Sequence, residues 1–233
     1  VIIDTAAVGH RQRYELLTSL VVPRPIAWVS TQSAEGRPNL APFSYFAAVS
    51  PTPFLVSVSI GHRRGEPKDS LRNILETGCF CVNVATVGQL EAMNHTSGEY
   101  PPEIDEFAHA GLPLARAESV DAPYVANAPA VLECRLFKHV PLEGAANTLV
   151  IGEVLRVRLS DDLALAPGTL FVDTHALAPV ARLWGDWYAL VGETPALKRP
   201  PADAPPLEAN PERESGPERR PGPKTRLGPG PGG

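Results

Sequence analysis

No apolar run in these 233 residues reaches the ~18 that a membrane helix needs. The best candidate, LLTSLVVPRPIAWV, is broken by Pro23, Arg24 and Pro25. No membrane partner is expected. An excess of positive charge is also missing: the net charge is −5. Nucleic-acid-binding domains are usually basic, so no nucleic-acid partner is expected either. The first ten residues, VIIDTAAVGH, carry no basic region, and no secretory signal is expected. Cysteine is scarce. Cys79 and Cys81 share one face of an expected strand, Cys134 lies apart, and no CxxC occurs. Buried free thiols in a reducing cytoplasm fit that pattern better than a zinc or redox pair. The six histidines form no HxH, HxxH or HExxH pair, so no metal site is expected. Ser44 lacks the GxSxG context of a hydrolase nucleophile. Asp105 and Glu106 are adjacent, and on a helix they point in different directions. They do not read as a catalytic carboxylate pair, and Asp105 reads better as a helix cap.

The composition, 43% hydrophobic, supports one sizeable core. From Glu193 onward it changes to proline, glycine and charge, and after Leu207 only Leu227 offers a large apolar side chain. Such a segment cannot offset its ordering entropy. The expected division is therefore a folded domain, 1–192, and a disordered tail, 193–233. The folded part reads mainly as strands: Ile26–Thr31, Leu40–Ser50, Phe54–Ile60, Cys79–Thr86, Ala130–Val140 and Asn147–Leu159. Pro42 places its strand at an edge or bulge. Short strands with turn signals suggest a barrel rather than a parallel sheet. Helices are expected over Arg11–Leu20, Ser70–Thr77, Val87–Thr96 and Asp105–Gly111. The aromatic stretch ARLWGDWYALV holds Trp184, Trp187 and Tyr188. It reads as core or dimer interface, with a wall for a flat ring as the alternative.

One short stretch carries a binding signal: GHRRGEPKDSLRNILETG, Gly61–Gly78. Asp69 or Ser70 is suited to cap a helix, Leu71, Ile74 and Leu75 to form its apolar face, and Gly78 to end it. The first turn of a helix offers free N–H groups and partial positive charge. Arg63, Arg64 and Lys68 add formal charge, and Ser70 and Asn73 add side-chain donors. A monophosphate fits such a cradle. It is neither a Walker A loop nor a dinucleotide fingerprint.

Taken together, in order along the chain, these segments resemble the flavin reductase-like family, the FMN-binding split barrels. The matching stretches are YELLTSLVVPRPIAWVST, GRPNLAPFSYF, SPTPFLVSVSIGHR, KDSLRNILETGCFCVNV, EFAHAGL, APAVLECRL, NTLVIGEV and LAPVARLWGDWY. The resemblance implies a mainly β fold, a six-stranded antiparallel Greek-key barrel with a few peripheral helices. It implies a homodimer with FMN near the subunit interface. Arg24 and its strand would lie beside the flavin. Asn39, Leu40, Ala41, Pro42 and Ser44 resemble the segment whose backbone meets the ring system. Ser57 or Ser59 would lie on the ribityl side. Lys68, Asp69, Ser70 and Asn73 resemble the family's KDT..N phosphate motif, with Ser70 keeping the hydroxyl of the commoner Thr. Trp184 stands where a small residue is more usual, which would narrow the nicotinamide or acceptor pocket.

The resemblance implies that no catalytic side chain is needed, because FMN carries the hydride chemistry once the nicotinamide stacks on it. Backbone N–H groups and Arg24 would stabilise the reduced ring. The expected activity is NAD(P)H-dependent flavin reduction in the cytoplasm. Electrons would pass on to free flavin, a partner oxygenase or another redox protein. The alternatives are a flavoredoxin-type FMN electron carrier without NAD(P)H activity and, third, a pyridoxamine-phosphate-oxidase-like enzyme.

Overall fold

The computed structural model of the chain describes residues 1–206. Val1–Glu193 forms one compact unit. Residues 194–206 contain no helix or strand, and the remainder of the expected tail, 207–233, lies outside the described residues.

In chain order the unit opens with α1 (His10–Leu20), then β1 (Arg24–Pro25), β2 (Ala27–Gln32), β3 (Pro38–Phe43) and β4 (Phe46–Pro51). It continues through β5 (Phe54–Arg63), β6 (Glu66–Pro67), α2 (Asp69–Thr77) and β7 (Cys79–Val84). A 3₁₀ turn, Val87–Gln89, leads into α3 (Leu90–His95), and α4 (Glu106–His109) follows. The rest is β8 (Leu114–Arg116), β9 (Pro123–Val125), β10 (Ala130–Pro141), β11 (Asn147–Leu159), α5 (Thr174–Leu177), β12 (Val180–Arg182) and β13 (Tyr188–Leu190).

The main sheet runs β3-β2-β7-β10-β11-β5-β4, and each of these pairings is antiparallel. β3 and β4 lie at opposite ends of that order, yet only Ser44 and Tyr45 separate them in sequence. The step from Phe43 to Phe46 spans at most about 11 Å. The two edges must therefore meet, and the sheet curls into a barrel. The backbone bond from Ser59 N to Tyr45 O, 2.8 Å, joins the corner to β5. The single strand expected over Leu40–Ser50 is thus two strands meeting at this corner. Its apolar run gives no sign of the break. Pro42 lies on β3, an edge strand whose one sheet partner is β2, as its missing N–H requires.

β2 is buried along its whole length because both of its faces are covered. Ala27 and Val29 enter the barrel core with Val56, Val58, Ile60, Leu71, Ile74 and Phe80. Trp28 points the other way, into a second cluster with Leu40, Met93, Phe107 and Val180. Its indole N–H donates to Thr96 Oγ1 at 2.9 Å. The expected helix over Val87–Thr96 divides into the 3₁₀ turn and α3. Asp105 caps α4 as expected, accepting from the N–H groups of Phe107 and Ala108. Among the described residues, no helix is long and apolar enough to cross a membrane.

Candidate functional site

α2 forms because its apolar residues fall on one face. Leu71 and Ile74 are buried, while Leu75 remains 40% exposed. Gly78, at φ +73°, closes it with a bond to Ile74 O. Its start differs from the sequence expectation. The N-cap is Lys68, and no side chain caps the helix. Asp69 is held instead by an ion pair with Arg72. Ser70 turns inward and accepts a 2.9 Å bond from Asn39 Nδ2. Asn39 also donates to Thr31 Oγ1 at 3.2 Å, and Asn73 Nδ2 donates to the same oxygen at 3.0 Å. Ser70, Asn39, Asn73 and Thr31 are all buried. This network fixes the first turn against β2 and β3. It leaves the first N–H groups of the helix without a side-chain acceptor.

That turn opens on a cleft of ≈ 240 Å³. Of the expected site residues, Asn39, Ala41, Pro42, Lys68, Asp69 and Ser70 line it. Asn73 lines an adjoining hollow of ≈ 210 Å³ that shares Asn39 and Asp69 with the cleft. Arg24 and Ser44 line a third hollow, ≈ 300 Å³, with Leu17, Val21, Tyr45 and Phe46. Leu40 is buried behind β3, its N–H donating to Glu106 Oε2 at 3.1 Å. Ser57 and Ser59 sit half-buried on β5, away from the lining of all three hollows. Ser59 Oγ accepts from Asn147 Nδ2 at 3.2 Å. Sequence reasoning did not place Arg72, Tyr100 or Glu106 in the cleft. Tyr100 and Glu106 arrive by tertiary packing of α4 and the segment between α3 and α4, whereas Arg72 stands on α2 itself, paired with Asp69. Arg63 carried a signal, because it stands in the same basic loop as Lys68.

Among the described residues, Lys68 has no carboxylate partner. Its ammonium lies 5.9 Å from the Phe43 ring centroid. Arg63, by contrast, pairs with Glu99 at 3.4 Å. The unmatched cation and the uncapped helix start lie on one cleft, and together they suit an anionic group.

Burial raises the carboxyl pKa of Glu106 above its usual 4.5, against the lowering effect of the Leu40 N–H. The folded chain therefore favours the protonated form. This contribution to stability is present below pH 4.5 and is lost as pH rises through the raised folded value. Glu106→Gln is expected to remove that part of the pH dependence. Denaturant titrations of both proteins across the acid range check it, and parallel curves would contradict it.

Arg24 is 6% exposed and has no carboxylate partner among the described residues. Its guanidinium donates to Thr18 O (2.7 Å), Val21 O (2.8 Å) and Leu183 O (2.5 Å), with Ser44 Oγ at 3.4 Å. It ties α1 and the β12–β13 turn to the corner between β3 and β4. The chain thus keeps a buried cation beside an apolar hollow. Such a cation favours an electron-rich or anionic neighbour.

The His95 and His109 imidazoles stack with centroids 4.8 Å apart, and the ring of Tyr100, which lines the cleft, meets His109 edge-on at 4.6 Å. Cys79, Cys81 and Cys134 are free and buried, and burial pushes all three thiols up. That matches inert core thiols rather than a redox pair. Trp184 and Trp187, 53% and 47% exposed, are not core residues. Among the described residues, no group of three or more His, Cys, Asp or Glu side chains is placed to hold a metal.

The sequence and the barrel have known counterparts. Residues 19–177 match the model of the flavin reductase like domain. An uncharacterised protein of Halalkalibacterium halodurans is 39% identical over 83% of this chain and 94% of its own. Among solved structures, nitrilotriacetate monooxygenase component B from Bacillus cereus superposes with a TM-score of 0.81. It is 34% identical over 84% of this chain and 98% of its own. The 2-nitrobenzoate 2-nitroreductase of Pseudomonas fluorescens gives 0.80, at 28% identity over 89% of this chain and 100% of its own.

Proposed function

The chain belongs to the flavin reductase-like family, and from that premise we propose that it is an FMN-dependent oxidoreductase using NAD(P)H. The observation that carries this reading is the uncapped start of α2, facing a cleft beside an unpaired Lys68. When bound, FMN would supply a ring that accepts hydride from the nicotinamide and passes electrons on. Lys68, Ser70 and the first N–H groups of α2 would hold the phosphate, with Asn39 and Asn73 keeping Ser70 and the turn in place. Ala41 and Pro42 on β3 would line the ring system, continuing through the corner to Ser44. Arg24 would favour the electron-rich reduced ring, and the apolar walls of its hollow would exclude water from it. Ser57 or Ser59 would lie on the ribityl side, on the strand whose Ser59 N–H also bonds Tyr45 O at the β3–β4 corner.

The functional unit we propose is residues 1–192, acting in the cytoplasm as a homodimer. Exposed apolar side chains on α1 and nearby strands, among them Leu17, Leu20, Val49 and Phe54, support a second copy. The acceptor would be free flavin, a partner oxygenase or another redox protein.

Anaerobic mixing of the FMN-loaded protein with NADH and with NADPH tests the donor. Rapid loss of flavin absorbance near 450 nm with either is the expected result; a flavin that stays oxidised with both would favour a flavoredoxin-type carrier instead.

A further inference from the structure

One buried carboxyl group in the cleft has no cation beside it. Glu106 opens α4, is 9% exposed, and lines both the ≈ 240 Å³ cleft and the adjoining ≈ 210 Å³ hollow, so it stands at their junction. Its Oε2 accepts from the Leu40 N–H at 3.1 Å. Among the described residues, no Lys, Arg or His pairs with it, and Oε1 accepts from no other residue. The surrounding charges are mostly spent on one another. β5 brings Arg63 to the cleft and the segment after α3 brings Glu99, and these two pair. Tyr100, from the same segment, turns its hydroxyl to His95 O at 3.0 Å. On α2, Asp69 and Arg72 pair, and Glu76 lines the hollow from an exposed position. The β2–β3 turn adds Glu35 and Arg37, 3.5 Å apart. On α4 itself, Asp105 caps the helix and His109 stacks on His95. With these pairs formed, Lys68 faces the carboxyls of Glu66 and Glu106 in the cleft. Glu66 is exposed, so solvent screens it, whereas Glu106 is buried. An ionised Glu106 would stand uncompensated beside any anion at the start of α2.

We propose that Glu106 is a proton-coupled binding residue for the phosphate: it is the neutral acid when FMN is held at the start of α2, and binding draws a proton from solvent wherever the free chain has lost it. The proposal rests on the flavin reading for the identity of the ligand. A neutral carboxyl has an O–H to donate, whereas a carboxylate only accepts and repels a phosphate. Burial already raises the Glu106 carboxyl above its usual range, and a phosphate nearby raises it further. The sign follows from linkage. A group whose pKa rises on binding strengthens binding below its free value, and that gain is lost as pH rises through the bound value. FMN affinity therefore falls with rising pH through this group. Riboflavin, which has no phosphate, is indifferent to it.

The test is calorimetric titration of the full chain with FMN and with riboflavin, between about pH 5 and pH 8. Glu106→Gln is the comparison, because it keeps a carbonyl oxygen for the Leu40 N–H but cannot ionise. The FMN phosphate itself titrates near about pH 6. It does so against both proteins, as do His95 and His109, so the ratio of the two profiles cancels them. Across this range the FMN affinity of the wild type is expected to fall by about tenfold relative to the variant, with riboflavin within about twofold throughout. A second measurement needs no variant. The Glu106 carboxyl ¹³C resonance, assigned through its bond to the Leu40 N–H, gives the titration directly in the wild type. Its midpoint is expected to move up with FMN and to stay in place with riboflavin. Parallel FMN profiles in the two proteins, a midpoint that FMN leaves unmoved, or riboflavin affinity falling as steeply as that of FMN would each overturn the proposal. If FMN still binds in those cases, the flavin reading stands and Glu106 alone loses its role. No FMN binding at any pH would sink both.

Discussion

Replacing Lys68 and Ser70 together by alanine is expected to weaken FMN by about 100-fold while leaving riboflavin within about twofold. The two ligands differ only by the phosphate, so their ratio isolates that contact. Lys68 supplies the unpaired charge and Ser70 the hydroxyl, and charge-assisted bonds of this kind are worth about 1.5–3 kcal/mol each. Ser70→Ala also leaves Asn39 Nδ2 without its 2.9 Å acceptor. Some loss of stability will accompany it, and Ser70→Thr is the control that keeps the hydroxyl. Isothermal titration with both ligands decides the matter. Equal losses for FMN and riboflavin would show that the start of α2 does not hold the phosphate.

Gly152→Ala should destabilise the barrel by about 1–3 kcal/mol, a fall in Tm of about 5 °C. Gly152 lies on β11, between Val56 of β5 and Leu136 of β10. A Cβ there would clash with Phe80 Cζ and lie 3.3 Å from Cys134 Cβ. Phe80 is 1% exposed and belongs to the main core cluster, so it has no solvent to move into. Thermal unfolding by circular dichroism reads the effect, and the same substitution in a Phe80→Leu background should cost less. An unchanged Tm would mean that the ring is not packed against β11.

The sequence made the long elements legible and the short ones not. β5 alternates visibly, with Val56, Val58 and Ile60 inward and Ser57 and Ser59 half-exposed. α2 shows its apolar face and its terminal Gly78. β8, β9, β12 and β13 are three residues long and β1 and β6 only two, too short for any period to show. The corner at Ser44–Tyr45 was hidden because LAPFSYFAAVS reads as one apolar run. It is set by closure of the sheet, not by a local turn signal.

The candidate site divides in the same way. Lys68, Asp69, Ser70 and Asn73 lie within the cap and first two turns of one helix, so their proximity follows from spacing. The cap assignment did not follow, because propensity ranks Asp69 and Ser70 above Lys68. Arg72 and Asn39 claim those two side chains in the fold. Tyr100 and Glu106 reach the cleft from segments whose own sequence says nothing of α2. The neighbourhood of Arg24 was equally unreadable, since three of its four acceptors are backbone carbonyls.

The central claim is that this chain holds FMN by its phosphate at the start of α2. Its most direct test is titration of the purified, flavin-stripped protein with FMN, followed by flavin fluorescence. The account predicts saturable binding at about micromolar concentration or tighter, with riboflavin at least about tenfold weaker. No saturable binding of FMN, or riboflavin binding as tightly as FMN, would contradict it.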